Sequence, residues 1–217
     1  MLPFQDRTDA GKQLAQKLGE YSGRGNVVVL ALPRGGVPVA YEVAQALAAP
    51  LDVFLVRKLG LPGDQELAMG AVASGGVRIL NKEVVNALRI PPEIIDAVSQ
   101  REQQALARSE YLYRDDNPSL PIQDQIVILI DDGLATGASM AAAVTALRAR
   151  APEQIVVAVP IAPPESYERF ADRVDRIVCL ETPDPFFGVG LWYEDFTQVR
   201  DEEVRDLLMR AANRNVG

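Results

Sequence analysis

The sequence predicts an α/β domain: an open, doubly wound, mainly parallel sheet with helices on both faces. Three observations lead there. Apolar runs of strand length are continuous rather than alternating, as in strands covered on both faces: Val27-Val28-Val29-Leu30-Ala31, Ile126-Val127-Ile128-Leu129-Ile130 and Ile155-Val156-Val157-Ala158-Val159. Stretches of helical pattern separate these runs, so successive strands join by right-handed crossovers and pair in parallel. Gly-bearing turns follow the first two runs, at the carboxyl ends of strands, where ligands of such sheets sit.

In chain order, the first strand at Val27 to Ala31 is closed by Pro33-Arg34-Gly35-Gly36, and Val39 to Ala49 reads as a helix ending before Pro50. Val53-Phe54-Leu55-Val56 is expected to be a second core strand. Gly60 to Asn81 breaks the pattern; two short β-like pieces, Leu67 to Ala73 and Val77 to Leu80, flank Ser74-Gly75-Gly76 and read as a hairpin. Pro91-Pro92-Glu93 opens a long charged helix to Arg114. The core resumes at Ile126 to Ile130, with a helix over Ser139 to Arg150. The strand Ile155 to Val159, a short helix near Glu165 to Phe170 and a strand at Ile177-Val178-Cys179-Leu180 follow. A Pro- and aromatic-rich segment, Thr182 to Phe196, precedes a closing helix over Asp201 to Ala212. The expected organisation is a single domain over residues 1–217, with an insertion at 60–118 and a small appended segment at 182–200.

Composition removes several chemistries. A hydrophobic fraction of 48% supports an ordinary packed core in a chain of 217 residues. The formal net charge of −8 disfavours binding along a nucleic-acid backbone. One cysteine, Cys179, leaves no internal disulfide and no cysteine metal cluster. Without histidine there is no Ser-His-Asp triad and no HExxH zinc site, so acid–base work falls to Asp, Glu, Lys, Arg, Tyr or a bound substrate. The opening residues Met1 to Arg7 lack a basic stretch followed by an apolar run, and no apolar run approaches the ~20 residues that span a bilayer. A cytoplasmic protein without membrane or nucleic-acid partners is expected.

The most informative segment is Asp131-Asp132-Gly133-Leu134-Ala135-Thr136-Gly137-Ala138-Ser139, directly after a buried strand and opening a helix. Neighbouring carboxylates accept hydrogen bonds from vicinal hydroxyls. Gly133 and Gly137 let the backbone approach a ligand. The N–H groups of residues 134 to 138, the Thr136 and Ser139 hydroxyls and the positive helix end converge on one oxyanion. Acids beside an anion cradle call for sugar hydroxyls next to a phosphate, or for a bridging Mg²⁺.

This run resembles the phosphoribosyl pyrophosphate signature of type I phosphoribosyltransferases, and its loop is similar to that of the adenine enzymes. The resemblance implies that Asp131 and Asp132 hold the ribose hydroxyls, with any Mg²⁺ held indirectly or through substrate, and that Gly133 to Ser139 hold the 5′-phosphate. Pro33-Arg34-Gly35-Gly36 resembles the family's pyrophosphate loop, in which Gly35 and Gly36 present N–H groups and Arg34 a permanent charge. Arg57-Lys58 is similar to the Arg-Lys pair that neutralises departing pyrophosphate. The insertion at 60–118 stands where the family carries a lid, although its long helix could instead serve a homodimer. The segment 182–200 resembles a purine-enzyme hood, with Phe186 or Phe187 as the stacking platform for a base.

The implied activity is Mg²⁺-assisted transfer of the phosphoribosyl group from phosphoribosyl pyrophosphate to a nitrogen acceptor, a nucleobase or a similar heterocycle. One departure limits the match. Ala135 stands where hypoxanthine and guanine enzymes have an acid that moves the base proton, leaving Glu66, Glu102 and Asp195 as candidate bases. A non-catalytic sensor of phosphoribosyl pyrophosphate or a nucleotide is the alternative. An aspartyl hydrolase is disfavoured because its Asp-x-Asp pattern is missing.

Overall fold

The computed structural model describes residues 3–114 and 117–214, with the side chains of 64–66 and 214 left aside. The core is a five-stranded parallel sheet. Its strands are β1 (Val27–Ala31), β2 (Leu51–Val53), β6 (Ile126–Ile130), β7 (Gln154–Ile161) and β8 (Arg176–Glu181), lying in the order β2-β1-β6-β7-β8. β1 and β6 pair in register from Val27 opposite Ile126 to Ala31 opposite Ile130.

The continuous apolar runs have the reason expected of them. Successive strand residues point to opposite faces, and both faces are covered. On one face Val27, Val29, Ile126, Ile128, Val156 and Ala158 meet α1 (Arg7–Lys17), α2 (Gly36–Leu47) and α7 (Asp201–Arg214) through Leu14, Val43 and Leu208. On the other, Val28, Leu30, Val127, Leu129, Ile155 and Val157 meet α5 (Ala138–Arg148) and α6 (Pro164–Ala171) through Met140, Val144 and Phe170.

Between β2 and β6 stands a second unit. β3 (Val56–Leu61), β4 (Asp64–Ala73) and β5 (Val77–Leu80) form an antiparallel sheet, followed by α3 (Lys82–Ala87) and the 23-residue α4 (Pro92–Arg114). It has its own core of Leu59, Met69, Val72, Ile95, Val98 and Leu106. The expected hairpin is present, with β4 extended toward β3.

The single strand expected at Val53 to Val56 is not formed. β2 ends at Val53, and Phe54-Leu55 turn the chain into the smaller sheet. Phe54 is fully buried and its N–H donates to Ala31 O, while Leu55 N–H donates to the buried Ser74 Oγ at 3.0 Å. The apolar run there fills a corner rather than a strand. Arg57 and Lys58 consequently lie within β3, not at the end of a core strand.

Helix α1 was not anticipated either. Its buried residues Ala10, Gly11, Leu14 and Ala15 are mostly small, so the apolar stripe is faint. Small residues let it approach α2: a Cβ on Gly11 would lie 2.7 Å from Val39 O. Asp6 caps it by accepting from Asp9 N–H at 2.7 Å.

The end of α4 is anchored to the core through a buried ion network. Arg114 Nε donates to Asp52 Oδ1 at 2.7 Å, Nη2 to Val53 O at 2.6 Å and Nη1 to Glu110 Oε1 at 3.0 Å. Leu120 N–H takes the other Asp52 oxygen at 3.2 Å. Both charged side chains are more than nine-tenths buried, so removing one strands the other away from water. Arg114→Met is expected to destabilise the fold by about 3–5 kcal/mol in urea unfolding, well beyond the ~1 kcal/mol of an exposed pair. Adding Asp52→Asn should recover part of that loss.

Candidate active site

The chain leaves β1 into α2 on one face of the sheet and leaves β6 into α5 on the other. β1 and β6 are neighbours, so their carboxyl ends form a topological switch point, where a crevice opens between diverging loops. Leu32 N–H still donates to Ile130 O at 2.8 Å, extending the ladder by one residue before the loops separate.

The two loops touch at the Gly35-Gly36 pair, one contact onto backbone and one onto a carboxylate. A Cβ on Gly36 would lie 2.7 Å from Ile130 O and 2.9 Å from Asp131 Cα, and one on Gly35 would lie 2.6 Å from Asp132 Cγ. Neither position has space for a side chain. The Pro33–Arg34 peptide is cis, and α2 starts with Gly35 as an N-cap that makes no side-chain hydrogen bond. Gly35 and Gly36 thus stand against Asp131 and Asp132, nearly a hundred residues away in sequence.

Asp131 Oδ1 accepts from the Asp132 N–H at 2.9 Å. Asp132 Oδ2 accepts from Arg7 Nε at 2.8 Å, and the Asp132 carbonyl accepts from the Tyr193 hydroxyl at 2.6 Å. These bonds engage one oxygen of each carboxylate. Burial, and then the adjacent Asp132, push the Asp131 carboxyl well above the usual carboxylate range. Burial also raises Asp132, against the pull of Arg7. Burial and the nearby Asp132 raise the Tyr193 phenol, which stays protonated and serves as a donor.

Arg7 and Tyr193 were not singled out in the sequence. Arg7 is almost fully buried; its Nη1 donates to Thr197 O at 2.8 Å and its guanidinium lies 3.8 Å over the Phe196 ring. Phe4, Tyr193 and Phe196 form a tilted aromatic stack with centroids 5.2 and 5.0 Å apart. The Phe4 and Gln5 carbonyls accept from the N–H groups of Glu194 and Asp195. A faint N-terminal helix thus supplies the counter-ion of the acid pair, and only the Asp6 cap marked it.

Beyond Gly133, a Cβ at which would collide with Val189, the loop turns to α5. Leu134 is buried and its N–H donates to Ile161 O at 2.8 Å, so this amide is not offered to an anion as expected. The N–H groups of Ala135, Thr136, Gly137, Ala138 and Ser139 take no loop or cap partner among the described hydrogen bonds. Gly137 sits at φ 74°, a conformation that favours glycine, and α5 has no side-chain N-cap. Open amides and a positive helix end thus lie next to the acid pair, the features that favour an anion.

The expected cations are turned elsewhere. Arg34 Nη1 lies 3.9 Å from Asp201 Oδ1, which also accepts from Tyr113 OH at 2.6 Å. Arg57 Nε donates to Glu102 Oε2 at 2.9 Å; Lys58 is exposed on the same strand. Burial would lift Glu102, but Arg57 and Arg101 outweigh it and hold the carboxylate low, which makes it a poor proton acceptor. The exposed Asp195 is held low by the Thr197 hydroxyl and N–H, and Glu66 lies outside the described side chains. Phe187 is 80% exposed, whereas Phe186 packs into the cluster of Phe4, Ile161 and Tyr193. Burial pushes the Cys179 thiol up to about 12 and its Sγ donates to Glu181 O, so it is no nucleophile.

Gly35 offers a test of the loop contact. Its backbone, φ −60° and ψ −32°, suits alanine, and helix propensity alone predicts that Gly35→Ala stabilises. The close approach of Asp132 predicts the reverse, a loss of about 1–3 kcal/mol in thermal or urea unfolding, because the carboxylate must leave Arg7.

The model of the phosphoribosyl transferase domain matches residues 4–69 and 62–195. A Mycobacterium tuberculosis protein provisionally named as a phosphoribosyl transferase is 49% identical over 208 residues, covering 96% of this chain and 47% of that protein. The chain therefore spans about half the length of the curated relatives it matches. The structure of TT1426 from Thermus thermophilus is similar with a TM-score of 0.85 and 42% identity, over 95% of this chain and 98% of that one. AQ2163 from Aquifex aeolicus, at 12% identity and a TM-score of 0.52 over 93% and 84% of the two chains, shares the fold alone. With most of its length matched by that domain model, the chain belongs to the type I phosphoribosyltransferase family.

Proposed function

We propose that the protein binds phosphoribosyl pyrophosphate across the crevice between β1 and β6 and transfers its phosphoribosyl group to a nitrogen acceptor of the nucleobase kind, releasing pyrophosphate. The observation that carries this reading is the contact of Gly35-Gly36 with Asp131-Asp132 beside the open amides of residues 135–139. In it, Asp131 and Asp132 hold the ribose hydroxyls, Ala135 to Ser139 the 5′-phosphate, and Gly35 and Gly36 the pyrophosphate through N–H groups. Arg34, released from Asp201, and Arg57 and Lys58, on the strand beside α4, neutralise the leaving group.

Residues 60–118 act as a lid that excludes water while positive charge develops at ribose C1. The hood at 182–200 presents the exposed Phe187 to a base, with Phe186 holding the segment to its cluster. Ala135 carries no carboxylate, Glu102 is ion-paired and Cys179 is a thiol. With Asp131 and Asp132 assigned to the ribose hydroxyls, this reading leaves the base proton to the acceptor itself.

Mg²⁺ fits this donor set as a shared ligand. The described residues hold no cluster of three metal-ligating side chains, yet Asp131 and Asp132 each keep one oxygen outside the described bonds, so the donor's oxygens would complete the coordination. When bound, the ion supplies charge neutralisation on the pyrophosphate.

The test is incubation with phosphoribosyl pyrophosphate, Mg²⁺ and a panel of bases, following pyrophosphate release. Turnover that falls at least ~100-fold in Asp131→Asn/Asp132→Asn and survives Cys179→Ala is expected, since two charge-assisted contacts to the ribose are lost. Tight donor binding without turnover on any acceptor would favour the sensor; absence of binding defeats both readings.

A second expectation concerns stability. An acid whose folded pKa is raised binds more protons folded than unfolded, so its contribution to stability falls as pH rises from the ordinary carboxylate range toward the raised value. Asp131→Asn should therefore raise the Tm of the ligand-free protein by a few degrees at neutral pH, with the gain vanishing near pH ~4. A gain independent of pH in calorimetry would contradict the buried-charge account.

A further inference from the structure

A loop that binds an anion through its N–H groups turns its carbonyls the other way, and those carbonyls need donors of their own. The phosphate loop meets that need against one helix. The carbonyl of Ala135 accepts from Ser166 Oγ at 2.7 Å, and that of Thr136 accepts from Arg169 Nη1 at 3.2 Å. A Cβ on Gly137 would lie 2.6 Å from a Phe170 ring carbon. Ser166, Arg169 and Phe170 are spaced i, i+3, i+4, so a single stripe of α6 contacts three successive loop residues. Ser166 and Phe170 are 3% and 1% exposed, which locks the stripe, while Arg169 stands at the solvent rim.

The peptide units make the arrangement chemical as well as steric. The Ala135 carbonyl shares its peptide unit with the Thr136 N–H, and the Thr136 carbonyl shares the next with the Gly137 N–H. Donation into the oxygen polarises the unit and strengthens its N–H as a donor, more so when the donor is a guanidinium. No Lys or Arg lies between Asp131 and Ser139. Among the described residues, Arg169 is the basic side chain whose hydrogen bond ends on residues 133–139. Arg7 is taken by Asp132, and Arg34 faces Asp201.

We propose that the Ser166, Arg169 and Phe170 stripe of α6 is a template that orients and strengthens the Thr136 and Gly137 N–H groups toward the 5′-phosphate. Ser166 and Arg169 are then positioning residues that set the preference for phosphorylated over unphosphorylated ribose. They act from behind the loop and do not touch the ligand. The inference rests on the ribose phosphate reading of the loop and adds to it which side chains outside the motif tune it.

Calorimetric titration of the full chain with ribose 5-phosphate, and separately with pyrophosphate, tests it, both with Mg²⁺ present. Arg169→Gln and Ser166→Ala should each weaken ribose 5-phosphate about 5–10-fold, the loss of one hydrogen bond to a loop that still folds. Arg169→Lys should recover most of its share, because the charge-assisted bond returns. Pyrophosphate, read by the Gly35-Gly36 side, should change by less than about 2-fold, and in turnover the donor KM should rise while kcat holds within about 2-fold. The template is wrong if Arg169→Gln binds ribose 5-phosphate as tightly as the unmodified chain, or if it loses both ligands alike through general damage. If the unmodified chain binds neither ribose 5-phosphate nor phosphoribosyl pyrophosphate, the ribose phosphate reading fails first and takes the template with it.

Discussion

Two loops meet at the carboxyl ends of β1 and β6, Gly36 against the backbone of Ile130 and Asp131 and Gly35 against the Asp132 carboxylate. Gly35 and Gly36 lie so close to Asp131 and Asp132 that even a methyl group at either position would overlap the opposite loop. The sheet produces this closeness, since parallel pairing holds Ala31 opposite Ile130 and the helices after the two strands leave to opposite faces. A crevice there is the ordinary consequence of a doubly wound topology. Backbone at Gly36 and the Asp132 carboxylate at Gly35 bring its walls together, and the adjacent carboxylates form one wall.

Holding two carboxylates in that wall is costly, and much of the surrounding architecture offsets the cost. The Asp132 N–H turns back onto Asp131, and Arg7 reaches Asp132. Arg7 can do so because Phe196 lies beneath its guanidinium, Thr197 accepts from it and the aromatic stack of Phe4, Tyr193 and Phe196 fixes the N-terminal segment beside residues 193–197. The segment around Tyr193 to Thr197 is therefore part of the acid pair's electrostatics. A similar economy governs the loop of residues 133–139, where Ile161, Ser166 and Arg169 satisfy the inner groups and leave the outer amides without described partners.

The inserted sheet and helices are a separate packing problem. They have their own apolar core, and Val56, Val77 and Ile79 lean on the face that carries α5. The firm attachment is at the end of α4, where Arg114 is buried against Asp52 and Tyr113 bonds Asp201. Asp201 is also the residue nearest the Arg34 guanidinium, so the insertion, the closing helix and the loop after β1 converge on one acidic side chain. The same unit carries the exposed Arg57 and Lys58 on β3, with Arg57 held by Glu102.

Most of the core strands, the hairpin, the long α4 and the glycine-bearing turn that opens α5 were legible in the sequence because each is written in contiguous residues. Continuous Val and Ile runs state double-sided burial, and a glycine before a helix states an open N-terminus. What was misread or missed depends on residues far apart in the chain. Val53 to Val56 is apolar in either a strand or a buried corner, and only the hydrogen bonds from Phe54 to Ala31 and from Leu55 to Ser74 choose the corner. The Leu134 N–H is a plausible anion donor until Ile161 is seen to accept it. Arg7, on a helix of weak periodicity, has no local signal of its role, since its partner lies 125 residues away. Residue order alone was enough for most of the parallel core strands and the acid–glycine motif, because hydrophobic period and backbone freedom are local properties. Counter-ions, loop buttresses and the partners of the basic residues emerged only from the packed chain, because a hydrogen bond between distant residues exists only once folding has brought donor and acceptor within about 3 Å.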